Sequence, residues 1–419
     1  METTLIVGNS QAGVQTAESL RGRGYTGRIV LAGEEPGLPY QRPPLSKEYL
    51  RADMELAFRA PEFHAARGIE LVAGDRVVGL ERTAGGGGVA TTAAGDTYPY
   101  ARLVLATGAE PRRLEVPGSG LAGVGYLRTR ADAARIRARL ADARTVVVIG
   151  GGFIGLEMAA EARSRGLEVT VLEASGRLIG RAVGETTSAF FLRAHRDQGT
   201  HVVLNARLRR FTGADGTVTA VELDDGTLVP ADLVVIGIGV LPRTELAEQL
   251  GLAVDNGIVV DGSGLASDGE TLAVGDCASI PLPDYLPGQE AGPAGRIRLE
   301  SVPNAVEQGR IAAGTLLGLP ERYSALPWFW STQGGLKLQI AGLSGGYTSE
   351  VVREVPGSGK FSVLYYRGGQ LLAADCVNSP ADFAAARSAL IQGRNIAPGP
   401  AVDPAVPLKQ CLEPAPAAV

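Results

Sequence analysis

The chain has 419 residues, 45% hydrophobic and 20% charged, ordinary proportions for a globular protein and enough length for about three domains. Its 57 glycines follow no G-X-Y period, which excludes collagen; such a load predicts tight turns and close backbone approach to a ligand. A net charge of −5, from 40 Lys and Arg against 45 Asp and Glu, argues against nucleic acid as the main partner.

In chain order, the start Met-Glu-Thr-Thr has neither a basic region nor a long apolar core, so no signal peptide is expected. No run approaches the ~18 apolar residues of a membrane span. Leu5 to Val7 reads as a strand, Gly8 to Gly13 as a glycine loop, Val14 to Arg23 as a helix and Arg28 to Ala32 as a second strand, followed by Glu34. The series recurs. Thr145 to Ile149 is a strand, Gly150 to Gly155 the loop, Leu156 to Arg165 the helix, and Val169 to Leu172 the strand before Glu173. The loops are offset by 142 residues and the acidic residues by 139, which points to internal duplication of a nucleotide-binding unit.

Each copy continues into a predicted meander. The first comprises Arg76 to Arg82, Val89 to Ala93 and Thr97 to Tyr98, with its first turn at Gly85 to Gly88, and leads into Leu103 to Gly108. The second comprises Leu208 to Phe211, Val218 to Leu223 and Thr227 to Val229, and leads into Leu233 to Gly239. Thr271 to Val274 is a further strand ending at Gly275-Asp276, and Ser301 to Leu317 a helix. After Pro320, five segments between Trp328 and Cys376 read as an antiparallel set, followed by a helix at Pro380 to Gln392. The Pro/Ala-rich end, Ala397 to Val419, is expected to be a loosely held tail.

Cys277, Cys376 and Cys411 are far apart, with no CxxC pair. This argues against a disulfide between neighbouring cysteines and against a metal site, and three free thiols fit a reducing cytoplasm.

In a G-x-G-x-x-G loop the first glycine makes the turn, the second admits a pyrophosphate, and the third lets the helix pack on the strand. Gly150, Gly152 and Gly155 fill these places. Glu173 is placed to accept from an adenosine ribose, and its charge repels a 2′-phosphate, so NADH is expected over NADPH; Arg177 and Arg181 could weaken that preference. The alternative is a tight strand–helix turn with no ligand. In the first loop Gly8 and Gly13 fit, but Ser10 replaces the middle glycine. Two dinucleotide units suggest a flavin and a nicotinamide exchanging hydride.

Six strings carry a resemblance: Arg42-Pro43-Pro44-Leu45-Ser46-Lys47, Ala106-Thr107-Gly108, Tyr126-Leu127-Arg128-Thr129, Gly237 to Pro242, Ala273-Val274-Gly275-Asp276 and Pro327-Trp328-Phe329-Trp330-Ser331. With them the chain resembles, from about residue 3 to 395, the FAD-dependent ferredoxin reductases that serve bacterial oxygenases, of the putidaredoxin-reductase-like group. The implied fold class is α/β: two Rossmann-like domains, for FAD and NAD, plus a C-terminal α+β domain with an antiparallel sheet. The implied division is FAD at 1–112 and 243–320, NAD at 113–242, and an interface domain at 321–419.

The resemblance also implies roles. Ala12 and Gly13 would face the FAD pyrophosphate, with Glu34 on its ribose and Val77 along the adenine. Arg42 and Lys47 would bring positive charge to the phosphates and flavin, and Arg128 would neutralise phosphate. Asp276 would take the ribityl chain, and Val302 and Trp330 would pack on the flavin; the alternative for Trp330 is plain core. Gly8, Ser10, Ala106, Thr107, Gly108 and Gly239 join the cofactor-binding set. On the nicotinamide side Phe153 and Ile154 would gate the pocket, and Glu157 would point at the carboxamide, its alternative being a solvated helix-face residue. Lys47, Glu157 and Trp330 are the residues placed at the reaction centre; no metal is implied.

The chain departs from the pattern at Thr332, where many relatives have an acidic residue, and at Arg243, where relatives often have Asn. His195 is expected to be structural, because hydride transfer needs orientation more than proton transfer. The expected activity is hydride transfer from NADH to FAD, then single electrons to a 2Fe–2S ferredoxin. That ferredoxin would feed a haem-thiolate monooxygenase or ring-hydroxylating dioxygenase. Arg296, Arg298, Arg310 and Lys337 are candidate cations for an acidic ferredoxin. The alternatives are an NADH oxidase or peroxidase, a disulfide or rubredoxin reductase, and a redox-sensitive binding flavoprotein. The first Cys, at 277, argues against the peroxidase and disulfide chemistries, and the lack of long insertions against the last.

Overall fold

The computed structural model describes residues 2–83, 86–282, 295–319 and 321–413. It divides into two compact units. One comprises Met1–Gln41, Leu56–Glu110 and Leu241–Phe329; the other Arg42–Glu55, Pro111–Val240 and Trp330–Val419.

The first unit is built on a five-stranded parallel sheet in the order Leu272–Ala273, Arg102–Leu105, Thr3–Val7, Arg28–Gly33, Ile69–Ala73. The strand Thr3–Val7 is buried from Thr4 onward, as a parallel strand covered on both faces must be. The second unit repeats the plan with His201–Val203, Glu168–Leu172, Thr145–Ile149, Leu233–Ile236 and Val124–Tyr126, again parallel. Each unit also carries an antiparallel three-stranded meander. These are Val77–Arg82, Gly88–Thr92 and Thr97–Tyr100 in the first, and Leu208–Ala214, Thr217–Leu223 and Leu228–Pro230 in the second. The duplication read from two glycine loops is therefore a duplication of sheet order. Gly85, in the predicted first turn, and Pro320 lie outside the described residues.

The loop helices begin earlier than the apolar pattern placed them, at Gln11–Gly22 and Phe153–Ser164. Their first residues, from Gln11 and from Phe153, fall inside the glycine-loop strings, so the spacing counted them as loop although the backbone already turns into helix there. The C-terminal sheet runs Trp328–Gln333, Leu336–Gly342, Gln370–Val377, Lys360–Arg367, Ser349–Val355 and is followed by the helix Pro380–Ile391.

The expectation of a loose tail from Ala397 is corrected as far as residue 413; residues 414–419 lie outside the described set. Ile396, Ala401, Leu408 and Cys411 are buried in one apolar cluster with Leu364, Tyr366 and Ala389. The buried Arg353 guanidinium donates to the carbonyls of Ala401, Asp403 and Val406, at 2.5, 2.9 and 2.8 Å. Composition suggested a loosely held segment, but a few apolar anchors and one buried arginine fix it as far as residue 413.

Candidate functional site

In the first unit the glycine loop lies where the sheet ends. Gly8 has φ +116°, and a Cβ there would lie 2.0 Å from the Ala106 carbonyl oxygen; one on Gly13 would lie 1.8 Å from the Gly8 oxygen. Ser10 is the N-cap residue of Gln11–Gly22 in extended backbone and makes no side-chain capping bond. A side chain is tolerated at position 10 because extended φ/ψ needs no glycine. The first turn holds no acidic residue, so its N–H groups and dipole suit an anion.

Asp276 sits in a tight turn, Gly275–Cys277, whose Gly275 N–H donates to the buried Gln308 amide oxygen at 2.6 Å. Ala12 Cβ lies 3.0 Å from where a Gly275 Cβ would stand, and a Cβ on Gly309 of the helix Val302–Leu316 would lie 2.7 Å from the Ala12 carbonyl oxygen, so glycine there lets the two helices pack closely. This packing sets Gly275, next to Asp276, and the middle of that helix, at Gly309, against the first turn of Gln11–Gly22. Val77 is buried in the core with Leu5, Val7 and Val30. Glu34 follows the strand Arg28–Gly33 and pairs with Arg243 at 2.6 Å. Cys277 is fully buried, and burial pushes its thiol up, the opposite of a reactive thiolate.

The second unit repeats the cradle. Gly150 has φ +105°, and its Cβ would meet the Gly237 oxygen at 2.4 Å; that of Gly155 would meet the Gly150 oxygen at 2.1 Å. At Gly152 a Cβ would find open space. The helix begins with Gly152 as N-cap, no capping side chain and no acid in its first turn. By contrast, Arg130–Asp142 is closed by a Thr129–Asp132 capping box. Glu173 accepts from the Gly151 N–H at 2.6 Å and the Ser175 N–H at 2.7 Å, which fixes its carboxylate beside the loop. Both arms of Arg177 are engaged, on the Val183 and Gly180 carbonyls. Gly239, at φ +105°, leaves room for Arg181 3.0 Å from its Cβ position.

Glu157 is not a solvated face residue. It is 3% exposed and pairs with Lys47 at 2.6 Å. The Ser46 and Ser331 hydroxyls donate to it at 2.5 and 2.6 Å. Lys47 also donates to the Pro43 carbonyl at 3.1 Å. Arg42 donates to the Arg128 carbonyl at 2.7 Å. Phe153 is half-buried and Ile154 is 43% exposed, both at the helix start. Trp330 is half-buried in the strand Trp328–Gln333. His195 is buried against Gln333 at 2.8 Å, and burial pushes its pKa down, a structural placement.

Ser46 and Ser331 escaped the sequence reading although both lie inside strings it singled out. Gln308 and the partnership of Arg243 with Glu34 carried no motif. Of the cations offered for an acidic ferredoxin, Arg296 is bound to the Val260 and Ser279 carbonyls. Arg298 pairs with Glu300, and Arg310 with Glu307 and Glu321. Only Lys337 of the four is exposed with no ion pair among the described residues.

The geometry thus holds two cradles fit for dinucleotide pyrophosphates. Residues 2–309 match the family described as pyridine nucleotide-disulphide oxidoreductase, and residues 328–412 a reductase C-terminal domain. Rhodocoxin reductase of Rhodococcus erythropolis is 44% identical over 97% of this chain and 94% of its own. Putidaredoxin reductase of Pseudomonas putida is 40% identical over 98% and 97%. Two solved structures align with TM-scores of 0.91. The ferredoxin reductase for the CYP199A2 system of Rhodopseudomonas palustris is 41% identical, covering 99% of this chain and 100% of its own. The covalent putidaredoxin reductase–putidaredoxin complex is 39% identical, covering 98% of each. The paired glycine cradles, the doubled parallel sheet and these matches together show that the chain belongs to the pyridine nucleotide-disulphide oxidoreductase family.

Proposed function

We propose that this protein is an NADH-dependent ferredoxin reductase of an oxygenase system, working in the cytoplasm. The observation that carries the reading is the pair of dinucleotide cradles in a chain whose three cysteines are all buried and unpaired. That arrangement suits electron transfer and not disulfide or peroxidase chemistry. The relatives' names, which include reductases of rhodocoxin and putidaredoxin, support a 2Fe–2S ferredoxin as acceptor.

FAD, when bound, supplies the two-electron to one-electron step, taking a hydride from NADH and releasing electrons singly. The chain's own residues bind and orient. The N–H groups at Gln11 to Gly13 receive one pyrophosphate, with Glu34 on the ribose and Asp276 on the ribityl hydroxyls. Val77, Ala106, Thr107, Gly108 and Val302 complete this set. The N–H groups at Phe153 to Gly155 receive the other pyrophosphate beside Gly239. Glu173 stays at the ribose, where its charge disfavours a 2′-phosphate, and Arg177 is engaged on backbone carbonyls and does not offset it. Glu157 holds the Lys47 ammonium in place through their ion pair. The flavin roles of Arg42, Lys47, Arg128 and Trp330 rest on the sequence motifs. The division into an FAD part at 1–112 and 243–320, an NAD part at 113–242 and an interface part at 321–419 belongs to the same proposal.

The test is NADH oxidation by the yellow holoprotein in air, with and without a 2Fe–2S ferredoxin coupled to cytochrome c. Slow turnover alone and a large, salt-sensitive rise with ferredoxin are expected. NADH should exceed NADPH in kcat/KM, and that ratio should fall in Glu173→Ala. Fast oxygen consumption unchanged by ferredoxin would overturn the reading.

A further inference from the structure

Arg243 ties together three pieces of the first unit. Its N–H donates to the Gly108 carbonyl at 3.0 Å, and its carbonyl accepts from the Thr107 hydroxyl at 2.8 Å. This anchors its backbone on the segment that closes against Gly8, whose Cβ position lies 2.0 Å from the Ala106 oxygen. Its side chain reaches Glu34 Oε1 at 2.6 Å, with Nε 3.7 Å from Glu110 Oε2. Among the described residues the other Glu34 oxygen has only Arg76, at 4.0 Å. One oxygen of the carboxylate is thus held by a guanidinium, while the second keeps its acceptor capacity. Without Arg243, two carboxylates, Glu34 and Glu110, would stand near the place where a pyrophosphate brings further negative charge.

We propose that Arg243 is a positioning residue for FAD binding: it orients Glu34 toward the adenosine ribose and neutralises the carboxylates beside the pyrophosphate cradle. The proposal rests on the reading of the first cradle as the FAD site. Its electrostatic part follows from charge balance. A carboxylate paired with arginine still accepts a hydroxyl, but it no longer repels a dianion several ångströms away.

The test is FAD titration of apoprotein by flavin fluorescence quenching, for wild type, Arg243→Gln, Arg243→Lys, Glu34→Gln and the double variant R243Q/E34Q. R243Q should raise the FAD Kd about fivefold at ~0.05 M salt, and the gap should shrink to about twofold at ~0.5 M. R243K, which keeps the charge, should recover most of the affinity. In the E34Q background, R243Q should cost less than half of what it costs alone, because part of its effect passes through Glu34. An R243Q affinity equal to wild type, a loss independent of salt, or a full loss retained in E34Q would overturn the proposal. If R243Q does not accumulate as folded protein, R243K decides: binding within about twofold of wild type with the same salt dependence supports the role, and a salt-independent loss overturns it. Failure of wild-type apoprotein to take up FAD would instead sink the assignment of the cradle.

Discussion

At the residue scale, environment decides what a titratable side chain does. Asp375 is fully buried on the strand Gln370–Val377, and the Tyr365 hydroxyl donates to its Oδ2 at 2.5 Å. That hydroxyl in turn accepts from the Gly184 N–H at 3.1 Å and lies 2.9 Å from the Thr187 hydroxyl. Burial pushes the Asp375 carboxyl up to about 7, with Tyr365, Thr187 and Gly184 pulling the other way and Glu350 adding to the rise. Because this value lies above the ordinary carboxylate range near 4, the folded state keeps a proton that the unfolded chain has released. The associated stabilisation is complete below about pH 4 and is lost as pH rises through about 7, on the order of 4 kcal/mol in all. The thermal midpoint should therefore fall between pH 5 and pH 8, and Asp375→Asn should flatten that fall. Parallel pH profiles for the two proteins would show that Asp375 does not titrate in this range.

At the element scale, the two glycines of the second cradle make opposite demands. Gly155 packs the helix Phe153–Ser164 against its own loop, and a methyl there meets backbone at 2.1 Å. Gly152 has ordinary negative φ, −81°, and open space before it. Gly155→Ala should cost about 3 kcal/mol or prevent the protein from accumulating, as overpacking against an immobile carbonyl does. Gly152→Ala should fold with its thermal midpoint nearly unchanged but weaken NADH about tenfold, ~1.4 kcal/mol, by filling the space a pyrophosphate needs. Isothermal titration with NADH and a thermal melt separate the two outcomes. Equal loss of stability in both variants would mean that the space at Gly152 is not reserved for a ligand.

At the scale of the whole molecule, the duplicated plan accounts for most of the chain, and the C-terminal part closes on its own tail. Burying a Leu or Ile side chain is worth about 1.5–3 kcal/mol. Removing residues 396–419 withdraws Ile396 and Leu408 from the core and leaves the 4%-exposed Arg353 without three carbonyl acceptors. The truncated protein should melt at least about 5 °C lower or be insoluble. A midpoint within about 2 °C of the full chain would show that the segment is dispensable for folding.

Much of this was legible in the residue order. The repeated strand–loop–helix–strand–acid series predicted both parallel sheets, because glycine spacing, apolar strands and helix starts are local signals. The strings around Lys47, Asp276 and Trp330 pointed to the family for the same reason: each is contiguous. Long-range partnerships were not legible. Glu157 read as pointing at a carboxamide, with a solvated helix face as the alternative, and neither reading showed that folding buries it beside Ser46, Lys47 and Ser331, 110 or more positions away. Arg243 read as a mere departure until it met Glu34 from 209 positions away. The tail read as loosely held from its prolines and alanines, yet as far as residue 413 a few apolar side chains found a core waiting for them. Local spacing sets which backbone turns can form and which N–H groups are left for a phosphate. Which charge meets which, and which of them lose water, depends on the three-dimensional packing of distant segments.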